Sequence, residues 1–279
     1  MPDALTVIEA VRRSCRDADG HDPLDEAAAL HLKHRGVSDA EVWLAEDRGF
    51  ALRRGAEVDL AVAPESRGRG LGGTLAVQAF AGTSATTAWS HGDHPAARVL
   101  AARHGLARAR ELWVMRRTAR APLPDLVLPP GLRIRSYHPE DAHEILRVNA
   151  AAFARHPEQG ALDRAGLEER MAEPWFDPEG LLLAEDPDGT VLGFHWTKRH
   201  SAREGEVYVV GIDPAAQGRG LGRLLTLAGL HHLTSRGIEQ VLLYVESENI
   251  PAIHVYSGLG FAHDERDTHV QYRRPAPAT

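Results

Sequence analysis

Hydrophobic side chains recur along this chain with two spacings, and the spacings come in matched pairs. β-rich runs at residues 58–62 and 207–212 each lead through a glycine-rich turn into a stretch, 71–80 and 221–233, whose apolar positions return every three or four residues. These patterns predict a strand, a turn and a helix, twice. The intervening segments align without a gap: residues 61–73 read Ala-Val-Ala-Pro-Glu-Ser-Arg-Gly-Arg-Gly-Leu-Gly-Gly, and residues 211–223 read Gly-Ile-Asp-Pro-Ala-Ala-Gln-Gly-Arg-Gly-Leu-Gly-Arg. Two copies so far apart are too few for a solenoid. Two similar domains in tandem are the economical expectation.

The remaining patterns extend both halves. In the first, strands are expected at 42–45 and near Trp89, with a helix from Pro95. In the second, strands are expected at 132–135, 181–184, 191–196 and 241–245, with helices near 142–153 and 222–235 and a short one from Ile250. Such alternation belongs to an α/β fold built on a mixed, α+β-type sheet. Residues 121–131 hold four prolines, a composition that stays extended. The expected division is therefore a domain at 1–120, a linker at 121–131 and a second domain at 132–279.

Composition narrows the function. The 279 residues are 43% hydrophobic and 25% charged, enough for a real core, and no apolar run reaches the ~18 to 20 residues of a membrane span. Lys plus Arg number 32 against 39 Asp plus Glu, a net charge of −7. Nucleic acid and anionic membranes are thus not the expected partners, and a cationic small molecule fits better. Cys15 is the single cysteine, so no internal disulfide or cysteine-ligated metal is possible; a reducing compartment and a buried side chain are expected. No export signal or lipidation box is recognised, which makes the cytoplasm the expected location and a monomer the expected state. The 16 histidines offer no repeated third ligand, so no metal is expected.

A strand followed by Gln217-Gly-Arg-Gly-Leu-Gly222 at a helix start leaves several backbone N–H groups unpaired beside the positive end of the helix dipole. A pyrophosphate suits that place, and Arg219 and Arg223 can add charge-assisted hydrogen bonds. The glycine spacing misses the dinucleotide GxGxxG pattern, and no Gly-Lys-Ser/Thr is present for a Walker loop. Arg67-Gly-Arg-Gly-Leu-Gly72 and Gln217-Gly-Arg-Gly-Leu-Gly222 resemble the Gln/Arg-x-x-Gly-x-Gly/Ala signature of the GNAT acetyltransferase superfamily. Within it, Arg147-Val-Asn-Ala-Ala-Ala-Phe-Ala-Arg-His-Pro-Glu-Gln-Gly160, Trp175-Phe-Asp-Pro-Glu-Gly180, Gly193-Phe-His-Trp-Thr-Lys198, Gly205-Glu-Val-Tyr-Val-Val-Gly211 and Leu243-Tyr-Val-Glu-Ser-Glu-Asn249 resemble the mycothiol synthase family of actinobacteria. That resemblance covers residues 131–262. The first half shares only the layout and the one turn.

The resemblance implies acetyl-CoA as co-substrate and a thiol-bearing pseudodisaccharide, cysteinyl-glucosaminyl-inositol, as acceptor. It places the cofactor on Val210, Gly211 and Ile212, on Gln217, Gly218, Arg219, Gly220, Leu221, Gly222 and Arg223, and on Asn249, Ile250, Pro251, Ala252, Ile253 and His254. A weaker copy of this site is implied at Leu60, Ala61, Val62, Gly68, Arg69, Gly70, Leu71, Gly72 and Gly73. Glu26, Glu158, Lys198, Glu206 and Tyr244 match substrate-binding positions. A different amine acceptor, such as an aminoglycoside or a protein N-terminus, and a non-catalytic acetyl-CoA sensor are the alternatives.

Acetyl transfer to an amine needs a base, an oxyanion donor and an acid for the leaving thiolate. A cysteine α-amine, with a reference pKa of about 7.7 to 8.0, is mostly ammonium at neutral pH. Glu206 heads the strand before the turn, and alternation puts it on one face with Tyr208 and Val210. From the residues alone Glu206 is equally a solvated strand-end carboxylate; the resemblance selects it as the base. Tyr256, late on a short helix capped by Asn249, reads alone as a core aromatic, and the GNAT pattern assigns it the acid. Registering the halves on Pro64 and Pro214 sets Ala56 opposite Glu206, with Glu57 one residue off on the other face. Registering on Gly105 and Gly260 sets Ala101 opposite Tyr256. Catalysis is therefore expected in 132–279, with the first domain non-catalytic.

Overall fold

A computed structural model describes residues 3–82, 86–154 and 159–275. The chain forms two compact units: one of residues up to Trp113 together with those from Asp264 on, the other Val114–His263.

The first unit opens with α1 (Ala4–Asp19) and α2 (Glu26–Arg35), followed by β1 (Glu41–Leu44), β2 (Gly49–Arg54), β3 (Glu57–Val62), α3 (Leu71–Phe80), β4 (Thr87–Ser90), α4 (Pro95–Arg103) and β5 (Ala107–Thr118), of which 107–113 belong here. Period-two alternation sorts the sheet faces. Phe50, Leu52 and Ala61 pack on Val7, Ile8 and Val11 of α1 and on Ala28 and Leu32 of α2, whereas Ala51 and Val58 pack on Leu75 and Ala79 of α3. Each fully buried large side chain contributes about 1.5–3 kcal/mol.

The second unit contains β6 (Arg133–Ser136), α5 (Ala142–Ala152), α6 (Arg164–Met171), β7 (Leu181–Glu185), β8 (Val191–Arg199), β9 (Glu204–Ile212), α7 (Leu221–Ser235), β10 (Gln240–Glu246) and α8 (Ile250–Gly258), and the chain closes with β11 (Ala262–Arg273). Its strands lie in the order β10-β9-β8-β7-β6. β9 and β10 run parallel; the other pairs are antiparallel. Leu181, Leu183, Phe194 and Trp196 face Ile145 and Val148 of α5 and Leu167 of α6; Leu182 and Ala184 face Leu225 and Ala228 of α7.

The units divide elsewhere than at the proline-rich segment. β11 pairs antiparallel with β4 through Val270–Ser90 and Arg273–Thr87, and Val270 and Tyr272 are buried with Ala101 and Leu106 of the first unit. The Tyr272 hydroxyl donates to Asp93 at 2.9 Å. A contiguous domain of 132–279 would strip those side chains of their core. Residues 121–131 have no regular structure, yet they are fastened to the second unit. The buried Arg117 guanidinium donates to the carbonyls of Leu259, Ala121 and Pro122, and Leu126 packs with Leu182 and Ala184.

Close packing of α7 on the sheet rests on Gly229. A Cβ there would lie 2.0 Å from Cε1 of the fully buried His195. The Nδ1–H of His195 donates to the Leu225 carbonyl at 2.8 Å, and burial pushes its pKa down to about 4, so the ring is neutral. Gly229→Ala gains about 1 kcal/mol of helix propensity but cannot avoid this ring. A net loss of about 2–3 kcal/mol is expected from urea unfolding.

Candidate active site

The two glycine turns have one backbone. Arg67 sits at φ −65° and ψ 161°, and Gln217 at −62° and 160°. Gly68 and Gly70 follow at φ 74° and 86°, Gly218 and Gly220 at 78° and 74°, and helices α3 and α7 start at the next residue. Left-handed φ is what demands glycine here, because a Cβ would meet nothing within 4 Å at any of the four. Gly222 differs: it lies inside α7 and a Cβ would find its nearest neighbour at 4.0 Å. Arg219 and Arg223 are exposed at the helix start. Asp213, just before the turn, is fixed by Arg147 of α5 at 2.5 Å and accepts from Ala215 N at 2.9 Å.

Beside the turn two parallel strands part. β9 and β10 pair from Glu204–Gln240 to Val207–Leu243, after which β9 continues to Ile212 and β10 to Glu246 with no further ladder pair. Asp213 N–H reaches Leu192 O of β8 at 2.9 Å. Alternation then turns the N–H groups of Val210 and Ile212 away from β8, into the opening. Tyr244, 43% exposed, is the first residue of β10 past the last pair. Asn249 caps α8 by accepting from Ala252 N at 3.3 Å, with Ile250, Pro251, Ala252, Ile253 and His254 in its first turns, as the sequence implies.

A β-bulge decides which residues share the Glu206 face. β8 pairs with β9 as Trp196–Val209 but then as Thr197–Val207 and Lys198–Glu206, leaving Tyr208 as an extra residue. Opposed residues share a face, so Glu206 lies with Trp196, Lys198 and Val209. Val210, opposite His195, turns to the α7 side instead. The expected shared face therefore holds for Glu206 and Tyr208, which packs against Trp196 under Lys198, and fails for Val210. Glu206 also does not head its strand, which begins at Glu204.

Around Glu206, 4% exposed, the side chains form a defined wall. Trp175 stands 5.2 Å from Tyr208 and 5.8 Å from Trp196, and the Lys198 ammonium lies over Trp175 and Tyr208 at 4.9 and 5.0 Å. Arg170 of α6 donates to the Tyr208 hydroxyl at 2.9 Å. His200, in the turn between β8 and β9, places Nε2 2.6 Å from Glu206 Oε2. Tyr256 occupies the last turn of α8 beside Phe261, and burial alone pushes its pKa up to about 12, which keeps the phenol protonated. Sequence reasoning missed Arg170 and His200. A His six residues before a strand carboxylate was the available signal for the second. Glu158 lies outside the described residues, and Glu26 is the first residue of α2 in the first unit.

Residues 145–261 match the acetyltransferase (GNAT) family. The fold is that of a crystal structure of a GCN5-related N-acetyltransferase from Sphaerobacter thermophilus (TM-score 0.73, 24% identity, 99% of this chain and 96% of that one), and of a tandem GNAT protein from the clavulanic acid biosynthesis pathway (TM-score 0.70, 16% identity, 99% and 97%). A mycothiol acetyltransferase of a Nocardioides species is 57% identical over 98% of both chains, and that of Nocardia farcinica 53% identical over 88% and 86%. The chain belongs to the mycothiol acetyltransferase family. It is an acetyl-CoA-dependent acetyltransferase of the GNAT fold.

In this mycothiol acetyltransferase family chain the first unit keeps part of the same constellation, in a register the sequence hid. β2 and β3 pair without a bulge, Leu52–Asp59 and Arg54–Glu57. Counting back from the turns, Arg54 stands where Lys198 does and Glu57 where Glu206 does. The expected pairing of Ala56 with Glu206 therefore fails by the one residue that Tyr208 inserts, and Glu57 is on the corresponding face. Ala101 does match Tyr256: the N–H groups of His104 and Leu106 converge on Ala101 O as those of Leu259 and Phe261 converge on Tyr256 O. A cleft of about 180 Å³ is lined by Leu60, Ala61, Val62, Gly68, Gly70, Leu71 and Gly72, and also by Asp19, whose carboxylate grips Arg67 at 2.8 and 2.5 Å. That grip holds Asp19 below the usual carboxylate range, so the Arg67 cation of the first turn is already paired with a carboxylate. Cys15 is buried there, and burial pushes its thiol pKa up. Alanine at Gly218 or Gly220 should cost about 1–2 kcal/mol in urea unfolding, whereas Gly222→Ala should be neutral or stabilise by up to about 1 kcal/mol.

Proposed function

We propose that the second unit transfers acetyl from acetyl-CoA to the cysteinyl amine of cysteinyl-glucosaminyl-inositol, giving mycothiol and CoA by direct attack. The observation that carries this reading is the parting of β9 from β10 beside both Glu206 and the glycine turn. The opened edge of β9 accepts the pantetheine arm as an added strand, with the N–H of Val210 or Ile212 polarising the thioester carbonyl. The pyrophosphate rests on the N–H groups of Gly218 to Gly222 with Arg219 and Arg223 beside it. Gln217 shapes the turn, and Asn249 to His254 border the cofactor from α8.

Glu206 takes the ammonium proton, directly or through one water, and the freed amine attacks the carbonyl. As the tetrahedral intermediate collapses, Tyr256 protonates the departing thiolate, and the second proton shed by the attacking nitrogen returns through water to restore the phenol. Its raised pKa suits a donor that must be neutral beforehand. Lys198, Tyr244 and Glu158 hold the sugar, inositol and cysteinyl parts of the acceptor. The first unit is read as non-catalytic, since Ala101 supplies no acid, and its weaker cofactor site comprises Leu60 to Val62 and Gly68 to Gly73, Arg69 included. The enzyme is read as a cytoplasmic monomer acting on small molecules; among the described residues no helix is long and apolar enough to cross a membrane.

Mixing the protein, acetyl-CoA and the purified pseudodisaccharide should add one acetyl mass to the acceptor. Glu206→Gln and Tyr256→Phe should each lower kcat by about 10²-fold or more with acetyl-CoA binding retained. Glu57→Gln should leave kcat within about twofold. Unchanged turnover in Glu206→Gln would remove that carboxylate from the mechanism.

A further inference from the structure

Glu206 poses a problem that the reaction alone does not solve. Converting an ammonium and a thioester into an amide and a thiol releases one proton per turnover. The proposed acceptor of that proton is a carboxylate whose side chain is only 6% exposed. On its two flanking strands it faces Lys198 and Leu242, a cation and an alkane, and neither accepts a proton from a carboxylic acid at neutral pH. One neighbour does connect it outward. His200 Nε2 stands 2.6 Å from Glu206 Oε2, and the His200 side chain is 32% exposed.

We propose that His200 is a positioning residue for Glu206 that also carries its proton to solvent, an inference that rests on Glu206 being the base. With Glu206 charged, the Nε2–H of His200 donates to Oε2. The amine N–H bond breaks as Glu206 gains the proton; exchange through water moves the ring proton of His200 from Nε2 to Nδ1, and the acid O–H then breaks as the freed Nε2 gains its proton. The resulting imidazolium gives the Nδ1 proton to water, which leaves Nε2–H facing Oε2 again. One proton leaves the substrate and one enters solvent, with no other reactant. The same contact fixes the carboxylate rotamer, because Oε2 is held from the solvent side while its own strand fixes the backbone.

His200 lies in the exposed turn between two strands, so its replacement spares the core. The test compares His200→Ala and His200→Gln with Glu206→Gln, using acetyl-CoA and the cysteinyl pseudodisaccharide. Glutamine keeps an N–H donor to Glu206 but no titratable nitrogen. Both His200 variants should lose roughly tenfold or more in kcat, with KM for acetyl-CoA and the thermal midpoint unchanged, and added imidazole should restore much of the loss in His200→Ala but none in Glu206→Gln. Full turnover in His200→Gln, or a loss in His200→Ala that imidazole does not repair, overturns proton carriage by His200. If Glu206→Gln itself keeps full turnover, the base assignment fails first; if only the His200 variants do, the base stands and the relay falls.

Discussion

A parallel strand pair that stops pairing while both strands continue is the constraint on which this site depends. Inside a sheet, backbone N–H and C=O groups without partners are costly. The edge of β9 beyond Val207 is therefore an arrangement the rest of the unit must sustain. The bulge at Tyr208 contributes by bending β9 just where β10 leaves it. Trp175, Trp196 and Arg170 then lock the extra residue from one side, while α7, seated on Gly229, supports the sheet from the other. A ligand that presents amide groups in an extended chain satisfies this edge; a compact, purely polar one leaves it unpaired.

The two units show how the same backbone turn can carry different side chains around it. Their turns follow the same backbone path, and both keep a carboxylate opposite a basic residue, Glu57 with Arg54 and Glu206 with Lys198. What differs is chemical. Ala101 stands in place of the phenol, Arg54 is tied by hydrogen bonds to Glu57 and to the buried Asp59, and Asp19 pairs the Arg67 cation in the first cleft. Conserved backbone with altered side chains fits a lobe kept for its fold.

Much of this was readable before any coordinates. Glycine at 218 and 220 announces left-handed backbone, Asn249 followed by Pro251 announces a helix start, and the three-to-four spacing of apolar residues marks α3 and α7. Other features carry no local mark. Nothing in Val-Tyr-Val-Val says that Tyr208 is extra, because a bulge is decided by the opposing strand; hence alignment without gaps displaced Glu57 by one. The His200 contact arises from a turn folding back onto its own strand, and Arg170 reaches Tyr208 from a helix that sequence patterning did not predict. The residues of β5 and β11 alternate too weakly to reveal which sheet claims them, since pairing between strands distant in sequence is a tertiary choice.

That claim has a consequence for biosynthesis. Val270 and Tyr272 fill the core built by α4 and β4, so the lobe made first lacks its closing strand until the whole of the second unit has been made. Vectorial synthesis thus favours maturation of the later lobe ahead of, or together with, the earlier one, inverting the usual order in which tandem domains fold. A nascent chain halted short of β11 would hold a finished second unit attached to an unfinished first one, an exposed sheet edge that chaperones and proteases recognise.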